Sequence, residues 1–269
     1  EATRGGSTFR SWLDAAAGAE ASRGVVPSLA PLFGAWHAPG SSVRTALASV
    51  VGAKGLDPDA RGRLVGMVFA RADAESGPAG RRELLQDLSE DRANDLTPIA
   101  TVIEEEIRRL FEGSRPDGVT LVLSLLGKVL TPVGEGMLRA AILLLTPTDL
   151  ESFGDGEAPY LPFIVGENQP LASSPVLWSR AGSQSEEVLS RLSGMNLADD
   201  ERAVIVDAII SAKCDVPVDA LVRFGGKAVV FRGLSAIASG HLQLSWAWRS
   251  ALSGQRDTCL LYTSDAADE

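Results

Sequence analysis

Thr97-Pro98-Ile99-Ala100-Thr101-Val102-Ile103-Glu104-Glu105-Glu106-Ile107-Arg108-Arg109-Leu110 is the stretch that decides the fold class. Its apolar residues, Ile99, Val102, Ile103, Ile107 and Leu110, recur at the i, i+3, i+4 spacing that lines up side chains along one face of a helix. Thr97-Pro98 reads as a start signal: a capping oxygen precedes a proline at the first helical position, where an N–H would have no partner anyway. Glu104–Arg108 and Glu105–Arg109 have the favourable orientation of i, i+4 ion pairs, worth about 0.2–0.5 kcal/mol each. Glu104, Glu105 and Glu106 therefore read as a solvated helix face and not as an acidic metal site.

The same pattern extends outward in both directions. Upstream it appears in Val43, Ala46, Leu47, Val50 and Val51, and in Leu64, Met67 and Val68; downstream it appears in Val188, Leu189 and Leu192, and in Val204, Ile205, Ala208 and Ile209. Asp57-Pro58 and Thr131-Pro132 repeat the start signal, and Ser183 followed by Glu186 has capping-box spacing. Polar–apolar alternation flanked by Asn-Gly or Asp-Gly turns is absent. Tyr160–Val165 alone could pass as extended, and Pro162 would confine it to an edge or a linker. The predicted fold class is all-α: stacked helical hairpins, either α-solenoid-like or an irregular helical array.

Four segments follow from this pattern. Residues 1–152 read as an N-terminal helical array. Residues 153–174, with Gly154, Gly156, Pro159, Pro162, Gly166 and Pro170, read as an irregular linker or loop, a length that is uncommon inside a compact domain. Residues 175–258 read as a C-terminal helical array. Cys259–Glu269 resembles the conceptual translation of a transposase-type sequencing adapter, codon by codon, and is predicted to be a non-native tail of metagenomic origin that fold reasoning should exclude. Since the chain also opens at Glu1 without an initiator methionine, it is expected to be a piece of a larger protein.

The two arrays carry a partial duplication. Trp36-x-x-x-Gly40-Ser41 recurs as Trp178-x-x-x-Gly182-Ser183, and Leu56-x-x-Asp59-x-Arg61 as Leu197-x-x-Asp200-x-Arg202. Stacked helical hairpins, each burying its apolar face on a neighbour, would produce such a repeat. Chance agreement of amphipathic helices accounts for the aliphatic matches alone.

Composition narrows the function classes. A hydrophobic content of 45% with 22% charged residues belongs to a chain that folds around a core. The net charge is −10, or −7 without the last eleven residues, which argues against contacts with a nucleic-acid backbone. Without that tail one cysteine remains, Cys214, so neither an intrachain disulfide nor a cysteine metal cluster is predicted, which fits a reducing cytoplasm. The most apolar region, Val119–Leu145, is interrupted by Lys128, Thr131-Pro132, Glu135 and Arg139. Its apolar pieces, about 12 and 9 residues long, fall short of the roughly 20 needed for a membrane span. They read as two buried core helices, with no membrane partner.

Motifs for chemistry fail one by one. Gly127-Lys128 and Gly226-Lys227 lack both the leading glycine and the following Ser or Thr of a phosphate-binding loop. Gly233-Leu234-Ser235-Ala236-Ile237 lacks the last glycine of a nucleophile elbow and sits in helical periodicity. His37 and His241 stand apart from the acids that a catalytic triad or a zinc site would require. No cofactor, metal or catalytic residue is predicted.

Pro175-Val176-Leu177-Trp178, the helical pair after it, Phe224-Gly225-Gly226-x-Ala228-Val229 and Trp248-Arg249-Ser250-Ala251-Leu252 together resemble the helical region downstream of the ATPase core in bacterial STAND-class P-loop NTPases. That resemblance implies a non-catalytic scaffold or sensor region of a larger cytoplasmic signalling or defence protein. Its partners would be other proteins or upstream domains of its own chain. The family's nucleotide-binding residues have no counterpart in these motifs. Candidate contact residues are Trp178, Trp248, Tyr160 and Phe163. The rival expectation is a hydrolase-type enzyme using Asp155, Glu157 and Glu167 of the 153–174 stretch.

Overall fold

The computed structural model describes residues 58–239 except Ala93 and Asp215, together with Leu47, Val50 and Val51. Among these residues there are nine α-helices and no strand. The all-α expectation is thereby met. The chain divides into two compact units, with the boundary between Leu144 and Leu145.

The first unit contains α1 (Pro58–Glu90), α2 (Ala100–Gly113), α3 (Arg115–Leu125) and α4 (Pro132–Leu143). Its core is the sum of their apolar stripes: Leu64, Val65, Val68 and Phe69 from α1, Ile103, Ile107 and Leu110 from α2, Leu121 and Val122 from α3, and Ala141 and Ile142 from α4. Leu47, Val50 and Val51 are helical and buried. Val119–Leu145 forms the two core helices its apolar pieces predict, α3 and α4, separated where Thr131-Pro132 predicts a break. There the Thr131 hydroxyl accepts a hydrogen bond from Gly134 N at 3.0 Å.

Helix α1 is bent. Gly77 adopts φ 62°, ψ −156°, outside the helical region and open in practice to glycine alone, and Pro78 follows it. The half beyond the bend is tied to α3 by Arg82–Asp117 and Gln86–Ser124, both at 2.6 Å. Its last turn meets the start of α4 at very close range. Ser89 O accepts from both Thr131 N (3.2 Å) and Thr131 Oγ1 (3.1 Å). A Cβ at Gly134 would lie 2.3 Å from that same carbonyl oxygen. Gly134→Ala should therefore push α4 off α1 and cost about 1–3 kcal/mol despite alanine's better helix propensity. A urea titration checks this, and an unchanged midpoint would show that the two helix ends are free to separate.

The second unit contains α5 (Leu161–Glu167), α6 (Pro175–Ala181), α7 (Ser185–Ser193), α8 (Asp199–Ala212) and α9 (Val218–Ala238). Residues 153–174 differ from the expected irregular linker. They hold a 3₁₀ turn at Ala158–Tyr160, α5, and a second 3₁₀ turn at Gln169–Ser173. Pro162 sits in the first turn of α5, where a missing N–H is tolerated, so Tyr160–Val165 is helical and not extended. Phe153, Leu161, Ile164, Val165 and Leu171 are all buried, which makes the stretch part of the core of this unit.

Two start signals resolve differently from their reading. Asp95 Oδ1, not the Thr97 side chain, accepts from Thr97 N at 3.0 Å, and a 3₁₀ turn at Thr97–Ile99 precedes α2. Ser183 does not open a capping box with Glu186: a 3₁₀ turn at Gly182–Gln184 runs directly into α7. The backbone-to-acid half of a capping box occurs instead at Thr146 N–Asp149 (2.7 Å) and Ala198 N–Glu201 (2.8 Å). Asp57 lies outside the described residues.

A second bend divides α9 at Gly226 (φ 57°, ψ −143°). Such a bend frees carbonyls from the helical ladder, and Arg202 of α8 takes one of them. Its Nη1 donates to Phe224 O at 2.8 Å while its guanidinium lies 5.4 Å from the Phe224 ring centre. The aliphatic positions that follow the duplicated frame match in burial except at the pair Phe69, which is buried, and Ile210, which is half-buried. Leu64, Val65 and Val68 are buried in α1, as are Ile205, Val206 and Ile209 in α8; Asp59 and Asp200 are exposed. Trp36, Gly40, Ser41 and Leu56 lie outside the described residues.

Candidate functional site

In the first unit a buried carboxylate lines a sizeable cavity. Glu106 lies on α2 three residues after Ile103 and four before Leu110, so helical geometry carries it into the apolar stripe. It is 1% exposed. Arg81, just past the bend of α1, brings Nε to 3.2 Å from Glu106 Oε2, and Arg109 brings Nη1 to 2.8 Å from Oε1. The Arg81 contact is off-axis, an ion pair without an aligned hydrogen bond. Arg81 also reaches Asp73, on the near side of the bend, at 3.3 Å. Burial pushes the Glu106 carboxyl above its ordinary range, and the facing Arg81 and Arg109 only partly oppose this.

The solvated-face expectation thus holds for Glu105, which pairs with Arg108 (2.5 Å) and Arg109 (3.3 Å), and fails for Glu106. The signal for the exception lay in the spacing, because position 106 falls on the same face as Ile99, Ile103 and Leu110. Its partner was not legible, since Arg81 stands on another helix. A cavity of about 480 Å³ opens beside Glu106 between the start of α1 and α2, floored by Gly62, Gly66 and Val102. Charges of both signs rim it: Asp59 and Glu105, Arg63 and Arg109.

A second cavity in this unit, about 340 Å³, lies between residues 91–97 and the start of α4. Thr97 donates both side-chain and backbone hydrogen bonds to Asp95 there, which holds that carboxyl below its ordinary range. In the second unit a cavity of about 370 Å³ separates α8 from the far half of α9.

The contact residues expected from the sequence have different fates. Trp178 is fully buried, and its indole N–H donates to Ala172 O at 2.7 Å. It anchors the core of its unit and offers no contact surface. Tyr160 and Phe163 are half-buried. Trp248, His37, His241 and Cys259–Glu269 lie outside the described residues. Comparison with known protein families, with characterised proteins and with solved structures finds no match.

The acids of the rival hydrolase reading do not converge on any of these three cavities. Asp155 is exposed, and Glu157 accepts from Gly154 N at 2.7 Å, closing its own turn. Glu167 is half-buried at the end of α5. Among the described residues no group of three or more His, Cys, Asp or Glu side chains could hold a metal ion. Gly233–Ile237 lies inside α9. Among the same residues no helix is long and apolar enough to cross a membrane.

Proposed function

We propose that this chain is a non-catalytic helical scaffold or interaction region of a larger bacterial signalling or defence protein. One observation carries the proposal: the buried polar side chains Thr131, Ser174, Asn168 and Asp149 hold helix ends and neighbouring segments together, and buried Glu106 is held by Arg81 and Arg109. Thr131 caps α4 and grips Ser89 O; Ser174 accepts from Val176 N; Asn168 donates to Leu145 O at 3.1 Å; Asp149 holds Thr146 N. Groups committed to such bonds fix neighbouring segments in place. Packing against a nucleotide switch elsewhere in the parent protein, or sensing a protein partner, suits helices presented on a rigid frame. The resemblance of Pro175–Trp178 and Phe224–Val229 to STAND-class helical regions points the same way.

Tyr160 and Phe163 are the contact residues this proposal retains, being half-buried aromatics at neighbouring turns of the second unit. A photo-crosslinking amino acid at position 160 of the intact parent protein tests it in the host cell. The expected result is one discrete adduct, to a second protein or to an upstream domain, that is missing when the same probe stands at Glu104. Equal labelling at both positions, or none at 160, would count against a contact surface there.

A further inference from the structure

The groove between α8 and the far half of α9 is lined by two cations, Lys213 and Arg232, and one carboxylate, Asp207, in a unit whose other described segments are mainly acidic. One wall is the α8 face of Asp207, Ile210 and Ser211, ending at Lys213; the other is the α9 face of Arg232, Ser235, Ala236 and Ser239. Lys213 is the one described non-glycine residue at positive φ (52°). In that left-handed setting its own N–H closes the end of α8 on Ile209 O and Ile210 O, and Cys214 N adds a 3.3 Å bond to Ile209 O. Two of the four carbonyls that give this helix end its negative field are thus satisfied, and the Lys213 side chain lies exposed at the groove. From the α8 wall Asp207 pairs with Arg232 of the facing wall and holds its guanidinium at the groove, where it remains 39% exposed.

We propose that this groove is a binding site for a small phosphate ester. Lys213 and the free edge of the Arg232 guanidinium approach the phosphoryl oxygens from opposite walls, and the hydroxyls of Ser211 and Ser235 supply neutral donors. Ile210 and Ala236 give an apolar wall for the carbon part of the ester. A volume of about 370 Å³ exceeds what orthophosphate fills and suits a small organic ester. The acidic charge of the chain as a whole opposes an anion only weakly, because exposed charges beyond about 8 Å are screened at physiological salt. Asp207 and Arg232 offset each other at the groove, so Lys213 carries its net positive charge and Arg232 contributes hydrogen-bond donors.

The test is an amide-resolved NMR titration of the full chain with orthophosphate and with glycerol phosphate, at ionic strength held constant with sodium chloride. Binding is expected to be saturable, with a dissociation constant on the order of 1 mM, tighter for the ester, and with shifts centred on Ser211, Lys213, Ser235 and Ser239. Lys213→Asn keeps a residue that tolerates the left-handed cap, and Arg232→Gln keeps a polar side chain of similar length. Each is expected to weaken binding about tenfold, as the loss of one charge-assisted hydrogen bond would. Linear, unsaturable shifts, or the same affinity in both variants, would overturn the proposal. Equal affinity for orthophosphate and ester would overturn the choice of an ester and mark a site for the inorganic ion.

Discussion

Replacing Trp178 with alanine is expected to destabilise the second unit by about 3–5 kcal/mol, the largest effect of any single truncation there. The indole is fully buried, so its removal exposes no compensating surface and leaves a cavity that the short helices around it cannot close. Two contributions add. One is the lost burial of a large aromatic ring. The other is the stranding of Ala172 O, which accepts from the indole N–H at 2.7 Å. Trp178→Phe separates them, keeping most of the ring while removing the donor. Its expected cost is about 1–3 kcal/mol, the penalty for a buried carbonyl left without its partner. Urea unfolding followed by circular dichroism reads both as lower midpoints at unchanged slope. A Trp178→Ala midpoint within experimental error of the native one would mean that the indole is not in the core, and the contact-residue role would return to it.

The second large effect belongs to Arg81. Glu106 is buried, and Arg81 is the cation that reaches it from outside its own helix. Arg81→Met should cost about 3–5 kcal/mol at pH 7, because it leaves a buried carboxylate with only Arg109 to compensate it. Glu106→Gln should cost far less. The reason lies in the sign of the Glu106 shift. Burial raises this carboxyl above its usual 4.5, so the folded protein favours its neutral form. The stability this contributes is complete below 4.5 and is lost as the pH rises through the raised value. The Gln variant is neutral throughout and escapes that loss. The stability of Glu106→Gln relative to the native chain should therefore improve between pH 4.5 and pH 7, and the deficit of Arg81→Met should shrink as the pH falls. Paired urea titrations at the two pH values check this. A native-minus-Gln difference that stays flat with pH, or moves the other way, would show that Glu106 is not held in a desolvated site.

The periodicity of Ile99–Leu110 became a helix with a buried face, Val119–Leu145 became two, Val204–Ile209 became one in which Ile205, Ala208 and Ile209 are buried and Val204 is exposed, and Thr131-Pro132 became a capped start. Both kinds of signal act through residues within one or two turns of each other, so they survive in any context. The 153–174 stretch misled because glycine and proline were read as loop formers. Pro159, Pro162 and Pro170 instead occupy first turns of short helices, a placement that depends on which neighbouring carbonyls need partners. Trp178, named from the sequence as a contact residue, is instead a core anchor. Its burial is a property of what α8 and the Gln169–Ser173 turn lay against it.

By itself the sequence determined that this protein is all-α, that α4 begins at Thr131-Pro132, and most of the residues that turn inward, because 3.6-residue periodicity and capping are local. Only the tertiary structure decided that Glu106 pairs with Arg81 of α1, and that Gly134 must be glycine because Ser89 O lies against it. It alone set Lys213 and Arg232 on opposite walls of one groove. Each of these joins residues far apart in the chain, and the physics that governs them, desolvation, steric exclusion and charge pairing, acts through space once the helices have packed.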